Sequence, residues 1–421
     1  MSALLSEEAT VAFGRFVATG LSTLGALTTA AVVAASAQAL DPGFSSSLLG
    51  RPTDWNGDLF AANFSYPATA NDLSSQPWLT LDPNVAAERD AYFAAVLTYG
   101  LTSFTADIKS GCTKTSPDWF HAPWLTFSLG NTSAEMQAGK IGAGREPICG
   151  MTQERSAPVG FLHANQTRRT PTWAVGSFNQ PGGAVLGRVW RTPGQIDLSQ
   201  TTFPKGTFVV KFLFTAATTA EVPYLLGAPE WHANIYDPPS SETNRKTLPV
   251  RLIQIDFGIR DPRFNSTTGW VYGTFMYYND SGAAPADWKQ KLLPVGVMWG
   301  NDPGKTSGYQ EQVLSPVIAQ LRDQGKLFDL TKRKTFGWFD RVNGPLDNPI
   351  SSCLSCHSTA QVHRTQIIKQ IITPALVSEQ VATDENKMMW FRNVPPGGTF
   401  TFTPEQLALV RQDGPDDVRA R

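Results

Sequence analysis

Two cysteines and a histidine stand close together in the last fifth of the chain, as Cys353-Leu354-Ser355-Cys356-His357. Two intervening residues let both thiols reach one porphyrin, and the histidine that follows is then held beneath the iron as its proximal ligand. A redox-active pair would be expected beside a βαβ pattern, and a zinc site needs further ligands nearby; the sequence offers neither context. The motif therefore predicts one covalently attached haem c, held by Cys353 and Cys356, with His357 as the iron ligand.

An apolar segment near the start of the chain predicts a secretory signal. Arg15 precedes the apolar residues 17–35, and two small-residue sites, Ala35-Ser36-Ala37 and Ala37-Gln38-Ala39, follow. We expect cleavage to remove residues 1–39, although the run also approaches the length of an uncleaved membrane anchor. No other segment of the sequence has the length and apolarity to cross a membrane. Because haem c is attached outside the cytoplasm, the signal and the motif together predict a periplasmic or secreted protein.

The two remaining cysteines, Cys112 and Cys149, lie far upstream of the motif. In an oxidising compartment we expect them to form a disulfide. It would close a loop of about 37 residues and stabilise the fold by a few kcal/mol. The alternative is a pair of buried free thiols, because the sequence does not show whether the two Cα atoms are close enough to be bridged.

The composition describes a large, loop-rich protein. The 421 residues, 41% of them hydrophobic, are enough for a substantial core in one or two domains. A formal net charge of −1 does not favour nucleic acid or an acidic partner. The 35 glycines, 30 prolines and 11% aromatic residues are typical of a β-rich chain with aromatic packing.

From residue 172 onward the apolar residues recur with a period of two, which is typical of half-buried strands. The predicted strands cover residues 173–176, 184–190, 207–214, 251–259 and 270–278. Helices are predicted at residues 84–99, 315–324 and 361–372, and a capping box is predicted at residues 403–406. We expect a loop-rich, partly helical region at 40–169 and a haem domain at 170–421. The pattern predicts an α+β fold with a mostly antiparallel sheet and flanking helices.

One predicted strand has a distinctive sequence, Phe203-Pro204-Lys205-Gly206-Thr207-Phe208-Val209-Val210-Lys211. It resembles the φ-x-x-G-T-φ-x-V-K strand of the cytochrome P-460 and cytochrome c′-beta family. In that family a mostly antiparallel sheet packs on helices, and C-x-x-C-H lies on the C-terminal side. Two later stretches, Asp256-Phe257-Gly258-Ile259-Arg260-Asp261 and Gly269-Trp270-Val271-Tyr272, resemble later family strands in the same order. The resemblance covers about residues 170–370, and residues 358–363 depart from the family pattern.

The resemblance implies roles for two residues. Lys211 matches the lysine that is joined covalently to the haem in P-460 enzymes; the alternative is a strand lysine that points to solvent. Asp256 matches a distal carboxylate that accepts protons from a bound substrate. A carboxylate buried over an apolar haem pocket would have a raised pKa and would move protons near neutral pH. The alternative is an ion pair between Asp256 and Arg251 or Arg260.

These features lead to three hypotheses about function. In the first, an oxidoreductase binds hydroxylamine, nitric oxide or peroxide at an open haem iron and passes electrons to a soluble carrier. In the second, the protein is an electron-transfer cytochrome whose sixth iron ligand is Met388, Met389, His121, His163, His232 or His363. In the third, the haem senses a gas or stabilises the structure without catalysis.

The sequence gives less support to other classes of function. The tryptophans Trp119, Trp124, Trp173, Trp190 and Trp270 could line a pocket for an organic substrate, although core packing is the simpler interpretation. The motifs of nucleic-acid binding are absent from the sequence. The oligomeric state, including a homodimer, stays open.

Overall fold

A computed structural model describes residues 46–122, 145–190, 200–237, 244–327 and 337–353, apart from residues 48, 201, 301, 303, 304, 306, 338, 339, 348, 350 and 351. Within these ranges the chain forms one antiparallel sheet with three α-helices beside it. The predicted α+β class with a mostly antiparallel sheet is confirmed. None of the helices in the described ranges is long and apolar enough to cross a membrane.

The described strands are β1 Thr152–Gln153, β2 Thr172–Phe178, β3 Phe208–Thr215, β4 Glu230–Tyr236, β5 Arg245–Arg260, β6 Trp270–Tyr277, β7 Leu292–Met298 and β8 Gln312–Leu314. The α-helices are α1 Arg89–Leu101, α2 Gln180–Val189 and α3 Pro316–Asp323. Short 3-10 turns span Pro77–Leu79, Ile108–Ser110, Pro223–Leu225, Pro262–Phe264 and Trp288–Lys291. The strand order is β1-β2-β3-β5-β6-β7-β8, and β4 also pairs with β5.

Strand β5 is 16 residues long and lies at the centre of this arrangement. Its first half pairs with β4 through residues 245–251, and its second half pairs with β3 through residues 251–259. Strand β6 pairs with residues 254–260 on the other side. The second half of β5 is therefore flanked by strands on both sides.

One face of the sheet packs against the N-terminal region. Phe208 and Phe212 of β3 are buried there, and Val96 of α1 belongs to the same hydrophobic core. The ring of Trp78 lies edge-on to Phe208, with 5.5 Å between the ring centroids. The described part of residues 40–169 thus shares one core with the sheet, and the predicted division at residue 170 stays a prediction.

The opposite face of the sheet carries α2, in a segment where a strand was predicted. The prediction of a strand at residues 184–190 is wrong. The side chain of Asn179 accepts a hydrogen bond from the backbone N–H of Gly182 at 3.4 Å, and Pro181 occupies the first turn. Both features favour the start of a helix.

Two glycines one turn apart explain how closely α2 packs. A Cβ at Gly183 would lie 2.4 Å from a ring atom of Phe120, and a Cβ at Gly187 would lie 2.6 Å from Cβ of Tyr66. Nearly every residue of this helix is buried. A helix that is apolar on nearly all sides lacks the one-sided period that distinguishes helix from strand in a sequence.

The other predictions agree with the described elements to different degrees. The strands predicted at 173–176, 207–214, 251–259 and 270–278 correspond to β2, β3, β5 and β6, and the helix at 315–324 corresponds to α3. Strands β1, β4, β7 and β8 were not predicted. The predicted signal, the helix at 361–372 and the capping box at 403–406 lie outside the described residues.

Helix α1 begins at Arg89, five residues later than predicted. The side chain of Asp82 accepts a hydrogen bond from the backbone N–H of Asn84 at 2.9 Å. The side chain of Glu88 accepts one from the backbone N–H of Asp82 at 2.8 Å. These bonds hold residues 82–88 in turns, because short polar side chains compete with the backbone for hydrogen bonds.

The predicted disulfide is confirmed. Cys112 and Cys149 are bonded, with their Cα atoms 5.2 Å apart and a sequence separation of 37. Both sulfur-bearing side chains are buried. The bond links the segment after α1 to the segment before β1.

Candidate functional site

Lys211 and Asp256, the two residues implied by the family resemblance, lie directly opposite each other on β3 and β5. The pairing continues to Thr274 on β6 and Gly296 on β7, and in the other direction to Gly176 on β2. We call these five residues the central row. Residues directly opposite on neighbouring strands share a face of the sheet. The central row lies on the face that carries α2, because the alternate residues of β3 pack in the opposite core.

Lys211 forms an ion pair rather than pointing freely to solvent. Its Nζ lies 2.8 Å from Oε1 of Glu154, and the side chains are 36% and 26% exposed. Burial opposes the charge of Lys211, but Glu154 and Asp256 outweigh it and raise the pKa of the ammonium group. Lys211 therefore supplies a permanent positive charge at this face.

Asp256 is the acidic group of the central row. Its Oδ1 accepts a hydrogen bond from Nε2 of Gln254 at 2.7 Å, and Thr274 lies directly opposite it on β6. Burial and the negative charge of Asp347 raise the pKa of Asp256 to about 7, against the lowering effect of Lys211. A carboxyl group with this pKa can either hold or release a proton at neutral pH.

The two arginines proposed as alternative partners of Asp256 have other partners. Arg251 pairs with Glu230 and donates to the carbonyl oxygen of Ala217 at 3.1 Å. Arg260 donates to the carbonyl oxygen of Gly269 at 2.7 Å. Both contacts favour the interpretation of Asp256 as a site residue over that of a surface ion pair.

A loop at residues 343–347 closes one side of the site. Nε2 of Gln254 donates to Oδ2 of Asp347 at 2.9 Å, and the backbone N–H of Leu346 donates to Oε1 of Gln254 at 2.9 Å. The loop lies very close to the strand, since a Cβ at Gly344 would fall 2.0 Å from Nε2 of Gln254. Only glycine fits this approach.

Cys353, the first cysteine of the haem motif, lies beside the same face. Its backbone N–H donates to the carbonyl oxygen of Val342 at 3.1 Å, and it packs against the cluster that contains Tyr272 and Met298. Burial, together with the neighbouring Cys353, raises the pKa of Tyr272. Tyr272 is two residues from Thr274 on β6, a distance of about 7 Å along a strand. The motif thus begins next to the central row.

Cys356 and His357 lie outside the described residues. Whether the second thiol and the iron ligand reach the same face therefore stays a prediction. Within the described ranges, no group of three His, Cys, Asp or Glu side chains is arranged to hold a metal ion.

The sheet face between Cys353 and the central row is largely apolar. Val209 and Tyr272 provide apolar surface, and Gly258 lies between them in the register of the sheet. A Cβ at Gly176 would lie 3.5 Å from the carbonyl oxygen of Val210, which is an ordinary van der Waals contact. Tyr272 is only 2% exposed because it packs in the cluster around α2, and the haem stays a prediction from the motif.

The described candidates for a sixth iron ligand lie elsewhere. His232 is exposed on β4, stacked on Trp55, and is paired with Pro249, about 23 Å along β5 from Asp256. Nδ1 of His163 accepts a hydrogen bond from the backbone N–H of Asn165. His363, Met388 and Met389 lie outside the described residues.

Nδ1 of His121 is also engaged, because it accepts a hydrogen bond from the backbone N–H of Asn63 at 2.9 Å. The tryptophans do not form one pocket. Trp119 and Trp173 are buried in the core beneath the sheet, whereas Trp190 and Trp270 belong to the cluster around α2. Trp124 lies outside the described residues.

Sequence reasoning missed three residues of the site. Gln254 could have been found, because it is two residues before Asp256 on one strand and so shares its face. Glu154 and Asp347 gave no such signal, since each reaches the site from a segment outside the strand pairs of the central row.

No protein-family model, curated protein or solved structure matches this chain. The resemblance to the cytochrome P-460 family therefore stays a prediction from the sequence. The geometry itself places one cation, Lys211, among three carboxylates, those of Glu154, Asp256 and Asp347. Such a group can hold a proton and exchange it with a small molecule at the sheet face.

Proposed function

We propose that this protein is a periplasmic or secreted mono-haem c-type cytochrome with an open iron site. It binds a small nitrogen or oxygen species, oxidises or reduces it, and exchanges electrons with a soluble carrier. The observation that carries the proposal is the position of Cys353, the first residue of the C-x-x-C-H motif, beside the sheet face that presents Lys211 and Asp256. A haem attached at Cys353 would then lie beside the face that carries Lys211 and Asp256.

Cys353 and Cys356 would hold the haem, and His357 would be its proximal ligand. A haem bound in this way supplies one-electron chemistry and a coordination position for small molecules. The described residues contribute the surroundings. The apolar side chains of Val209 and Tyr272 exclude water from one side, and the central row provides the polar edge.

Asp256 is the residue that would move protons. In its ionised form it accepts a proton from a bound molecule such as hydroxylamine, and in its protonated form it returns one. Lys211 favours the ionised form and attracts negative charge on the ligand, while Glu154 holds the ammonium group in place at 2.8 Å.

The first test is the visible spectrum of the purified protein, ferric and ferrous, before and after addition of nitric oxide. We expect haem that stays bound under denaturing conditions, a high-spin ferric spectrum, and a shift on addition of the gas. Replacing both Cys353 and Cys356 by serine should abolish covalent attachment. A low-spin spectrum that does not respond to nitric oxide would contradict an open site and would fit a six-coordinate electron-transfer cytochrome.

A further inference from the structure

The proposed function leaves one acidic residue of the site without a role, Asp347 in the loop before the haem motif. Its Oδ2 accepts hydrogen bonds from Nε2 of Gln254 at 2.9 Å and from the backbone N–H of Gly344 at 2.8 Å. The same Nε2 also donates to Oδ1 of Asp256 at 2.7 Å. One amide nitrogen therefore holds an oxygen of each carboxylate within 2.9 Å.

The orientation of the Gln254 amide follows from its third partner. The backbone N–H of Leu346 is a donor, so the amide oxygen of Gln254 must face it, at 2.9 Å. Both N–H groups of the amide are then directed to the carboxylates of Asp256 and Asp347. Gln254 is fully buried, so its amide group cannot bond to water instead of these three partners.

Two carboxylates that each place an oxygen within 2.9 Å of one amide nitrogen do not ionise independently. Their like charges repel, and the pair lowers its energy by keeping one proton. The charged groups that face them are Lys211 from β3 and Glu154 from the segment after β1. Because Lys211 is already paired with Glu154 at 2.8 Å, it neutralises the two aspartates only in part.

We propose that Asp256 and Asp347 form one coupled acid pair that holds a single proton at neutral pH, with Asp347 as the positioning residue. Asp256 exchanges this proton with the bound molecule or with solvent, and the O–H bond is the one bond that forms or breaks. Asp347 sets the proton affinity of Asp256 from the loop that leads into the motif. This inference deepens the proposed function and depends on it only for the identity of the molecule that exchanges the proton.

The test follows carboxyl protonation by infrared difference spectroscopy of the intact protein between about pH 5 and 9. In the wild type we expect one carboxyl proton to be released with a midpoint near neutrality. In Asp347→Asn we expect the midpoint to fall by about one pH unit or more, a tenfold change in the acid constant, because the negative neighbour is gone and Lys211 remains. Asp256→Asn should also remove the transition near neutrality.

The matched control is Asp323→Asn, since the side chain of Asp323 is 71% exposed at the end of α3. It should leave the midpoint unchanged. A wild-type protein that releases no carboxyl proton between about pH 6 and 8 would overturn the inference without any variant. So would an Asp347→Asn protein with the wild-type midpoint. The visible spectrum of the same samples reports the haem separately, so a protein with the coupled pair and no haem would contradict only the proposed function.

Discussion

At the scale of the residue, the site depends on the neighbours of Asp256. An aspartate in water is ionised at neutral pH and is a weak base. Here burial and Asp347 raise the pKa of Asp256 to about 7, while Lys211 and the hydrogen bond from Gln254 limit the shift. A pKa close to the working pH is the value at which a group is most effective in general acid–base catalysis.

Replacement of Asp256 by asparagine should remove this proton acceptor. We expect hydroxylamine oxidation by the wild type to rise with pH up to about 7, because the ionised carboxylate is the active form. The variant should be slower by about 10²–10⁴-fold above pH 7 and should lose this dependence. Stopped-flow kinetics with a chemical electron acceptor would measure both. Asp280→Asn, at a side chain that is 50% exposed, is the control, and an unchanged profile in Asp256→Asn would contradict the role.

Gln254 contributes to the stability of the fold as well as to the site. Gln254→Leu would leave the backbone N–H of Leu346 without its acceptor and would remove one donor from each of two carboxylates. We expect a loss of about 2–4 kcal/mol in the free energy of unfolding, because buried polar groups would lose their partners. Urea denaturation would measure it. Gln290→Leu, at an exposed position, should change stability by less than about 0.5 kcal/mol, and equal losses in both variants would contradict this account.

At the scale of the element, the strands of the site were predictable and their pairing was not. Alternation of apolar residues located β3, β5 and β6, because each has one face in the core. Strand β7 was missed, since Pro294 and Gly296 lower its strand propensity. Lys211 and Asp256 are neighbours because of the register between β3 and β5, and only the folded chain fixes this register. The position of Asp347 depends on how the loop at residues 343–347 packs against the sheet. The local sequence does not predict this packing.

Helix α2 offers a direct test of close packing. In most helices a change from glycine to alanine stabilises by about 1 kcal/mol. At Gly187 we expect the opposite, a loss of about 1–3 kcal/mol, because the new Cβ would lie 2.6 Å from Cβ of Tyr66. Thermal or urea denaturation would measure the change. Gly50→Ala is a control, since a Cβ there meets nothing within 4 Å, and a stabilised Gly187→Ala protein would show that α2 packs less closely.

At the scale of the whole molecule, polar contacts join the N-terminal region to the sheet. Arg263, after β5, pairs with Asp261 at 2.6 Å and donates to the carbonyl oxygens of Trp78 and Leu81 at 3.0 and 2.9 Å. The carboxylate of Glu146 accepts a hydrogen bond from the backbone N–H of Asn234 on β4 at 3.0 Å. With the disulfide, these contacts fix the N-terminal region on the sheet and so hold the sheet in the shape that the site requires.

His121 makes the stability of this assembly depend on pH. It is 1% exposed, and burial, with a smaller effect of Arg145, lowers its pKa to about 3. The unfolded chain takes up a proton at His121 below about pH 6.5 while the folded protein does not. The stability contributed by neutral His121 is therefore complete above pH 6.5 and is lost as the pH falls toward 3.

His121→Asn should remove this pH dependence. Asparagine can still accept the hydrogen bond from the backbone N–H of Asn63 but takes up no proton on unfolding. We expect the wild type to exceed the variant in stability at pH 7.5, and the difference to shrink by about 1.4 kcal/mol per pH unit below 6.5. Urea denaturation at several pH values would measure it. His232→Asn, at an exposed position, is the matched control, and a constant difference between wild type and His121→Asn would show that His121 does not stay neutral in the folded protein.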